Sequence, residues 1–173
     1  MIYRTKLKLP LPTLADPYAC HIRACEAVDS SRVEARMVFH AGRDGTAEPG
    51  LILFTPEPVN GESEPFLPTA PSRFLIRLNP TKRSDGKLVP LLEREEIVAF
   101  VRRKLSPFNV DPETLLISQR FETRFRKKGG HTVTINTVLV IGEIRELPED
   151  FEDLLLQGVG REKAFGFGTL LLF

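Results

Sequence analysis

Residues 115–144 read LLISQRFETRFRKKGGHTVTINTVLVIGEI. Two long runs, Leu115 to Arg126 and Thr132 to Ile144, flank Lys127-Lys128-Gly129-Gly130, and the pattern is that of two strands around a hairpin turn. Before this hairpin, Leu92 to Leu105 places Ile97, Val98, Phe100 and Val101 on one side of an amphipathic helix. Further back, Pro80 to Leu88 is a basic turn, and Arg73 to Asn79 alternates as a strand does. After the hairpin, Pro148 to Leu156 reads as a short helix, and Thr169 to Phe173 as a last strand. Residues 71–173 therefore read β-α-β-β-α-β, the ferredoxin-like (RRM-like) order.

The first half repeats this order incompletely. Ile2 to Leu9 alternates apolar and basic residues until Pro10 and Pro12 end the strand. Asp16-Pro17 opens a helix, with Asp16 as N-cap and Pro17 in the first turn, and the helix runs to about Val28. Arg32 to His40 and Leu51 to Thr55 read as strands joined by a turn containing Gly42, Asp44 and Gly45. Pro56 to Pro71 is rich in proline and acid and reads as a linker. The expectation is an α+β protein of two tandem ferredoxin-like units. Residues 1–70 form a trimmed unit lacking the second helix and fourth strand, and residues 71–173 a complete one.

The composition is that of a soluble globular protein, 42% apolar and 27% charged over 173 residues. A net charge of +1 does not by itself announce a nucleic-acid binder, so the distribution of charge has to be read instead. Acids gather at Glu48 to Glu64, at Glu93-Glu95-Glu96 and at Glu143 to Asp153, and bases above all at Arg120 to Lys128. The two cysteines, Cys20 and Cys25, lie five apart on a helix and face different ways, so they read as small packing residues in a reducing compartment. No stretch approaches eighteen apolar residues, and the first eight carry alternating charges. The expectation is a cytoplasmic protein with no membrane partner.

Three groups of residues carry chemistry. Tyr18 and His21 share a helix face within two turns of its N-terminus, where the dipole favours anions and a histidine can move protons near neutral pH. A packed or surface histidine is the commoner outcome for such a pair taken alone. Arg120, Arg124, Arg126, Lys127 and Lys128 set five positive charges against Glu122 on an elongated hairpin, and such a ribbon suits a row of phosphates. Its bland alternative is a solvated edge kept from aggregating. Lys82 and Arg83 in the Asn79-to-Arg83 turn could extend the same surface. Finally, Gly158, Gly160, Gly166 and Gly168 bracket Arg161 and Lys163, and open N–H groups in such a loop suit phosphate oxygens. The loop is neither a Walker A motif nor a dinucleotide fingerprint, and it serves equally as a turn that needs glycine for geometry. No H-x-x-x-H, CxxC or G-x-S-x-G pattern is present, so no metal or other cofactor is expected.

Arg77-Leu78-Asn79-Pro80-Thr81-Lys82-Arg83, Arg124-Phe125-Arg126-Lys127-Lys128-Gly129-Gly130 and Gly158 through Gly168 follow one another in an order that resembles the CasE family, the CRISPR RNA endoribonucleases of type I-E Cascade. The resemblance covers most of residues 73–173 and reaches the first half through Asp16 to His21. It implies two ferredoxin-like domains and metal-independent cleavage of CRISPR precursor RNA beside the repeat stem-loop. It also implies a product that stays bound, with the other Cascade subunits and the repeat RNA as partners. The family's catalytic histidine and the tyrosine before it fall on His21 and Tyr18, and its RNA-gripping hairpin on Arg124 to Lys128. Where the family carries a bulky aromatic after the histidine's turn, this chain has Ala24 and Cys25. The expected reaction is in-line attack by the ribose 2′-OH, with His21 as general acid or base and a lysine or arginine stabilising the phosphorane. The rival expectations are a non-catalytic RNA-hairpin-binding subunit and, more distantly, a binder of small nucleotides.

Overall fold

The structure is a computed structural model and describes residues 1–42, 48–59 and 63–173. Its two larger sheets are antiparallel. The first is built from β1 (Ile2–Leu7), β2 (Val38–Gly42), β3 (Gly50–Thr55) and β4 (Ser63–Phe66), in the order β2-β3-β1-β4. Between β1 and β2 lie the short α1 (Leu11–Leu14) and the longer α2 (Pro17–Val28). This is the strand order of a ferredoxin-like sheet. The segment expected to be a linker therefore supplies a fourth strand, with Ile2 opposite Phe66 and Thr5 opposite Ser63. Ser63 secures its start, because its hydroxyl meets Thr5 Oγ1 at 2.7 Å and accepts from Val59 N at 2.9 Å. The trimming is thus confined to the second helix, which no described residue forms. The expected strand Arg32 to His40 begins only at Val38, because residues 32–36 turn and Arg36 takes a φ of 49°. Asp44 and Gly45 of the expected turn lie outside the described residues.

The second sheet comprises β5 (Ser72–Leu78), β8 (Leu116–Ile117), β9 (Phe121–Arg126), β10 (Thr132–Ile144) and β11 (Leu171–Leu172). Its order is β11-β5-β10-β8, with β9 also paired to β10. Two further strands, β6 (Thr81–Ser84) and β7 (Lys87–Pro90), form a separate hairpin after β5, so the expected basic turn is a small ribbon. The helices α3 (Arg94–Leu105) and α4 (Phe151–Gln157) complete the β-α-β-β-α-β order. The first arm of the long hairpin is interrupted at Ser118 to Arg120, where the Ser118 hydroxyl accepts from Leu139 N at 2.9 Å. Beyond the break, β9 pairs regularly from Phe121 opposite Thr137 to Arg126 opposite Thr132.

β3 decides how the two sheets meet. All six of its residues are buried, which a strand achieves only when both its faces are covered. Leu51 and Leu53 point toward α2 and pack with Cys20, Ala24, Met37 and Phe39. Ile52 and Phe54 point the other way, into a larger core that includes Phe74, Ile76, Phe100, Leu155 and Leu170 of the second unit. Cys20 is a packing residue here: burial pushes its thiol up to about 11, and it donates to Thr13 O at 3.3 Å.

The glycine loop between α4 and β11 stitches the two sheets together. Gly168 N donates to Arg77 O of β5 at 2.8 Å, and Thr169 Oγ1 donates to Phe39 O of β2 at 2.6 Å. Val159 N donates to Gly168 O at 2.8 Å, which holds the two ends of the loop against each other. A Cβ on Gly168 would sit 1.9 Å from Val159 O, whereas one on Gly160 would meet nothing within 4 Å. Both have positive φ, 74° and 75°. Gly160→Ala should therefore cost about 1–2 kcal/mol, the left-handed backbone term alone. Gly168→Ala adds a backbone clash and should cost on the order of 3 kcal/mol or more. Thermal melts of the two variants check this, and equal losses would contradict it.

Candidate active site and nucleic-acid interface

α2 begins where its sequence says it should. Asp16 caps it, its carboxylate accepting from Tyr18 N at 2.9 Å and Ala19 N at 3.3 Å, and Pro17 occupies the first turn without wasting a donor. The cap fixes the rotation of the helix. Cys20 and Ala24 point into the core, and Tyr18 and His21 point along the flank toward the second unit.

His21 is half-buried and stands against Phe165, a residue of the short 3-10 turn 163–165 in the glycine loop. The two rings meet edge to face with centroids 6.2 Å apart, and the Tyr18 ring centroid lies 6.5 Å from that of the imidazole. Cys25 Sγ, one helical turn on, is 3.9 Å from each imidazole nitrogen. Phe165 in turn packs on Phe125 of β9 at 4.7 Å, and Lys127 Nζ lies 4.9 Å from the Phe165 ring centroid. One buried aromatic ring thus joins the histidine of α2 to the tip of the basic hairpin, and a cation over its face gains from the ring quadrupole. Ile135, Phe167, Val133 and Tyr18 complete the small core around it.

The electrostatics follow from this packing. Burial holds the His21 pKa below the usual 6.5, and the positive charges of Arg32 and Lys127 push it further the same way. The imidazole therefore stays neutral to lower pH than a free histidine does. Arg32 enters from the turn after α2, where Nη1 donates to Met37 O at 3.3 Å. The other two histidines lie elsewhere: His40 is in the core of β2 and His131 is exposed at the hairpin turn. Among the described residues, no group of three or more His, Cys, Asp or Glu side chains is placed to hold a metal ion.

On the hairpin, Phe125 is buried while Arg124, Arg126 and Lys128 are exposed, as the alternation of the strand predicts; Phe121, expected to share the face of Phe125, stays partly exposed. Arg124 is held along the strand by Glu122. The turn closes through Lys127 N donating to His131 O and Gly130 N to Lys127 O, both at 3.0 Å.

The glycine loop departs from the phosphate cradle expected of it. Gly158 N donates to Leu154 O and Leu155 O at 3.1 Å, Gly166 N to Lys163 O at 3.2 Å, and Gly168 N to Arg77 O. Those three N–H groups are spent inside the fold. Gly158 ends α4, and a Cβ on Gly166 would press the Phe39 ring at 3.0 Å. Lys163 also turns inward, its Nζ donating to Gln157 O at 2.7 Å across the end of α4. Gly160 and Arg161 face outward instead, and with Lys82 and Arg83 they border one groove beside α3, where Lys82 pairs with Glu96. The structure thus divides the expected residues into two places. Tyr18, His21 and Lys127 meet around Phe165; Lys82, Arg83, Gly160 and Arg161 meet around the groove. Sequence reasoning missed Phe165, Arg32 and Cys25. The first was hidden among the glycines of Gly158–Gly168, and the other two lacked a motif.

Comparison with known proteins adds to this geometry. A model of the family described as CRISPR associated protein matches residues 6–173. No curated protein matches in sequence. Among solved structures, the CRISPR endoribonuclease Cse3 bound to a 19-nucleotide RNA is 26% identical, with all of both chains covered and a TM-score of 0.74. Thermus thermophilus Cse3 bound to an RNA representing a pre-cleavage complex is also 26% identical, over 99% of this chain and 98% of that one, with a TM-score of 0.77. Cas6e from Escherichia coli str. K-12, at 22% identity over 98% of both chains and a TM-score of 0.59, shares the fold. With its tandem ferredoxin-like sheets and a family match that runs from the first strand to the last residue, the chain belongs to the CRISPR-associated protein family, as a CasE member.

Proposed function

We propose that this chain is an endoribonuclease that processes CRISPR precursor RNA beside the repeat stem-loop. The observation that carries the reading is the meeting of His21, kept neutral by its surroundings, with the Lys127 end of a basic hairpin across Phe165. The likeness to Cse3 structures that contain RNA supports it. In this reading residues 1–70 and 71–173 are its two units, the hairpin lies along the stem, and the scissile phosphate sits between His21 and Lys127. The product stays bound as part of a Cascade-type assembly in the cytoplasm.

The chemistry needs no group beyond the side chains. Neutral His21 takes the proton of the ribose 2′-OH. The 2′ oxygen attacks phosphorus in line with the bond to the departing 5′ oxygen. That bond breaks, and the proton goes to the leaving oxygen. The products are a 2′,3′-cyclic phosphate and a 5′-hydroxyl end. Tyr18 orients the reacting groups from the same helix face. Lys127 and Arg32 supply positive charge where the phosphorane gathers negative charge, with Phe165 holding the ammonium in place.

His21→Ala should lower single-turnover cleavage by about 10²–10⁴-fold while leaving affinity for stem-loop RNA nearly intact. Cleavage with EDTA present should match cleavage without it. A His21→Ala variant that cleaves at the wild-type rate would remove the histidine from the reaction, and a wild-type chain that binds stem-loop RNA without ever cleaving it would favour a purely binding subunit.

The pH dependence tests the cation. The acidic limb of kcat/KM reports the free-enzyme pKa of the base, which lies below 6.5. Removing a positive neighbour lets the imidazole hold its proton to higher pH. Lys127→Ala should therefore move the acidic limb upward and also slow the plateau rate, whereas Lys128→Ala should leave the limb where it is. An unmoved limb in Lys127→Ala would take the ammonium away from His21.

A further inference from the structure

We infer that the groove between the β6–β7 hairpin, α3 and the loop after α4 is a second RNA site, which holds an unpaired nucleotide flanking the stem-loop. This rests on the RNA-processing reading and gives a place to a part of the substrate that the site around His21 does not hold.

The groove encloses about 520 Å³. Lys82, Arg83, Arg103, Lys104 and Arg161 border it, and Glu96, the acid among its lining residues, is tied to Lys82. Its apolar lining is Leu88, which is exposed, with Phe100 and Leu91 buried beside it. Arg103 and Lys104 lie over the Phe100 ring, at 5.8 and 5.9 Å from its centroid. Asn79, 8% exposed, forms part of the wall, and its Oδ1 has no hydrogen-bond partner.

These features match one nucleotide better than a duplex. A nucleotide brings a phosphate for the cations and an apolar base face for Leu88. A groove of this size admits about one nucleotide, while a paired stem turns its bases inward and offers its backbone outside. The groove also connects to the cleavage site. Arg32 acts electrostatically on both His21 and Lys163, and Lys104 acts on Lys163, so a file of positive charge leads from the histidine to the groove. A strand leaving the scissile phosphate can follow it.

The test uses the whole chain and labelled CRISPR repeat stem-loop RNA carrying a 2′-deoxy residue at the cleavage position, so that it binds without being cut. Three RNAs are titrated: the bare stem-loop, and the same stem-loop with a short unpaired flank on its 5′ or its 3′ side. One flank should tighten binding by about tenfold and steepen the fall of affinity with salt. The double variant Arg103→Gln, Lys104→Gln should lose that gain and keep the wild-type affinity for the bare stem-loop, its cleavage rate on saturating all-ribose stem-loop RNA and its melting temperature. Equal weakening toward bare and flanked RNA would assign the groove to the stem and overturn the inference, as would flanks that add nothing in the wild type. Failure of the processing reading looks different. The wild type would then ignore stem-loops, and loss of binding to an unstructured RNA in the double variant would leave the groove standing alone.

Discussion

The backbone crossing at Gly168 is the constraint on which the site depends. There the chain passes so close to Val159 that no side chain fits, and the hydrogen bonds to Arg77 and Phe39 fix it to one strand of each sheet. With both ends of the loop held, the turn between them has little freedom. It sets Phe165 between α2 and β9, and Phe165 sets the distance between an imidazole and an ammonium that come from opposite halves of the chain. Arg77 reinforces the joint from the side, its guanidinium donating to Ala41 O of β2. Gly158, Gly166 and Gly168, which look like a ligand cradle, therefore act through the fold, by fixing where Phe165 and its neighbours stand.

Much of the fold was legible because its signals are local. Asp16-Pro17 starts a helix by capping chemistry alone, and the alternation of Arg73 to Asn79 is that of a strand with one covered face. The family resemblance read from three short motifs likewise agrees with the match over residues 6–173. What was not legible depends on partners distant in sequence. Ser63 to Phe66, with a proline among acids, has no strand pattern of its own and becomes a strand because β1 offers a free edge and Thr5 a hydroxyl. The same holds for the site. Tyr18 and His21 could be placed on one face from their spacing, but Arg32, Phe165 and Lys127 join them only through the folding of the glycine loop. Whether a glycine N–H is open or already bonded has no trace in the sequence.

Charge is arranged here to act locally in a chain whose net charge is near zero. Lys82 and Arg124 are balanced by Glu96 and Glu122, and such exposed pairs add little to stability. Their worth lies in order: a paired cation keeps its direction until a phosphate competes for it. Lys127 is steadied by an aromatic face instead of an acid, so its full charge remains available and is felt by His21 as a lowered proton affinity. The same positive field that suits an RNA backbone therefore also helps to keep the imidazole neutral.

The double coverage of β3 has a consequence for how the molecule is made. Ile52 and Phe54 are sheltered by side chains as far along the chain as Leu170, and the hydroxyl that caps Phe39 comes from 130 residues later. Without those last residues the N-terminal sheet would carry a bare apolar face. Contacts of such long range are slow to form and favour a single cooperative transition. The two halves, alike in topology, therefore depend on each other: the later half of the chain completes the core of the earlier one, and His21 has its surroundings only when both are in place.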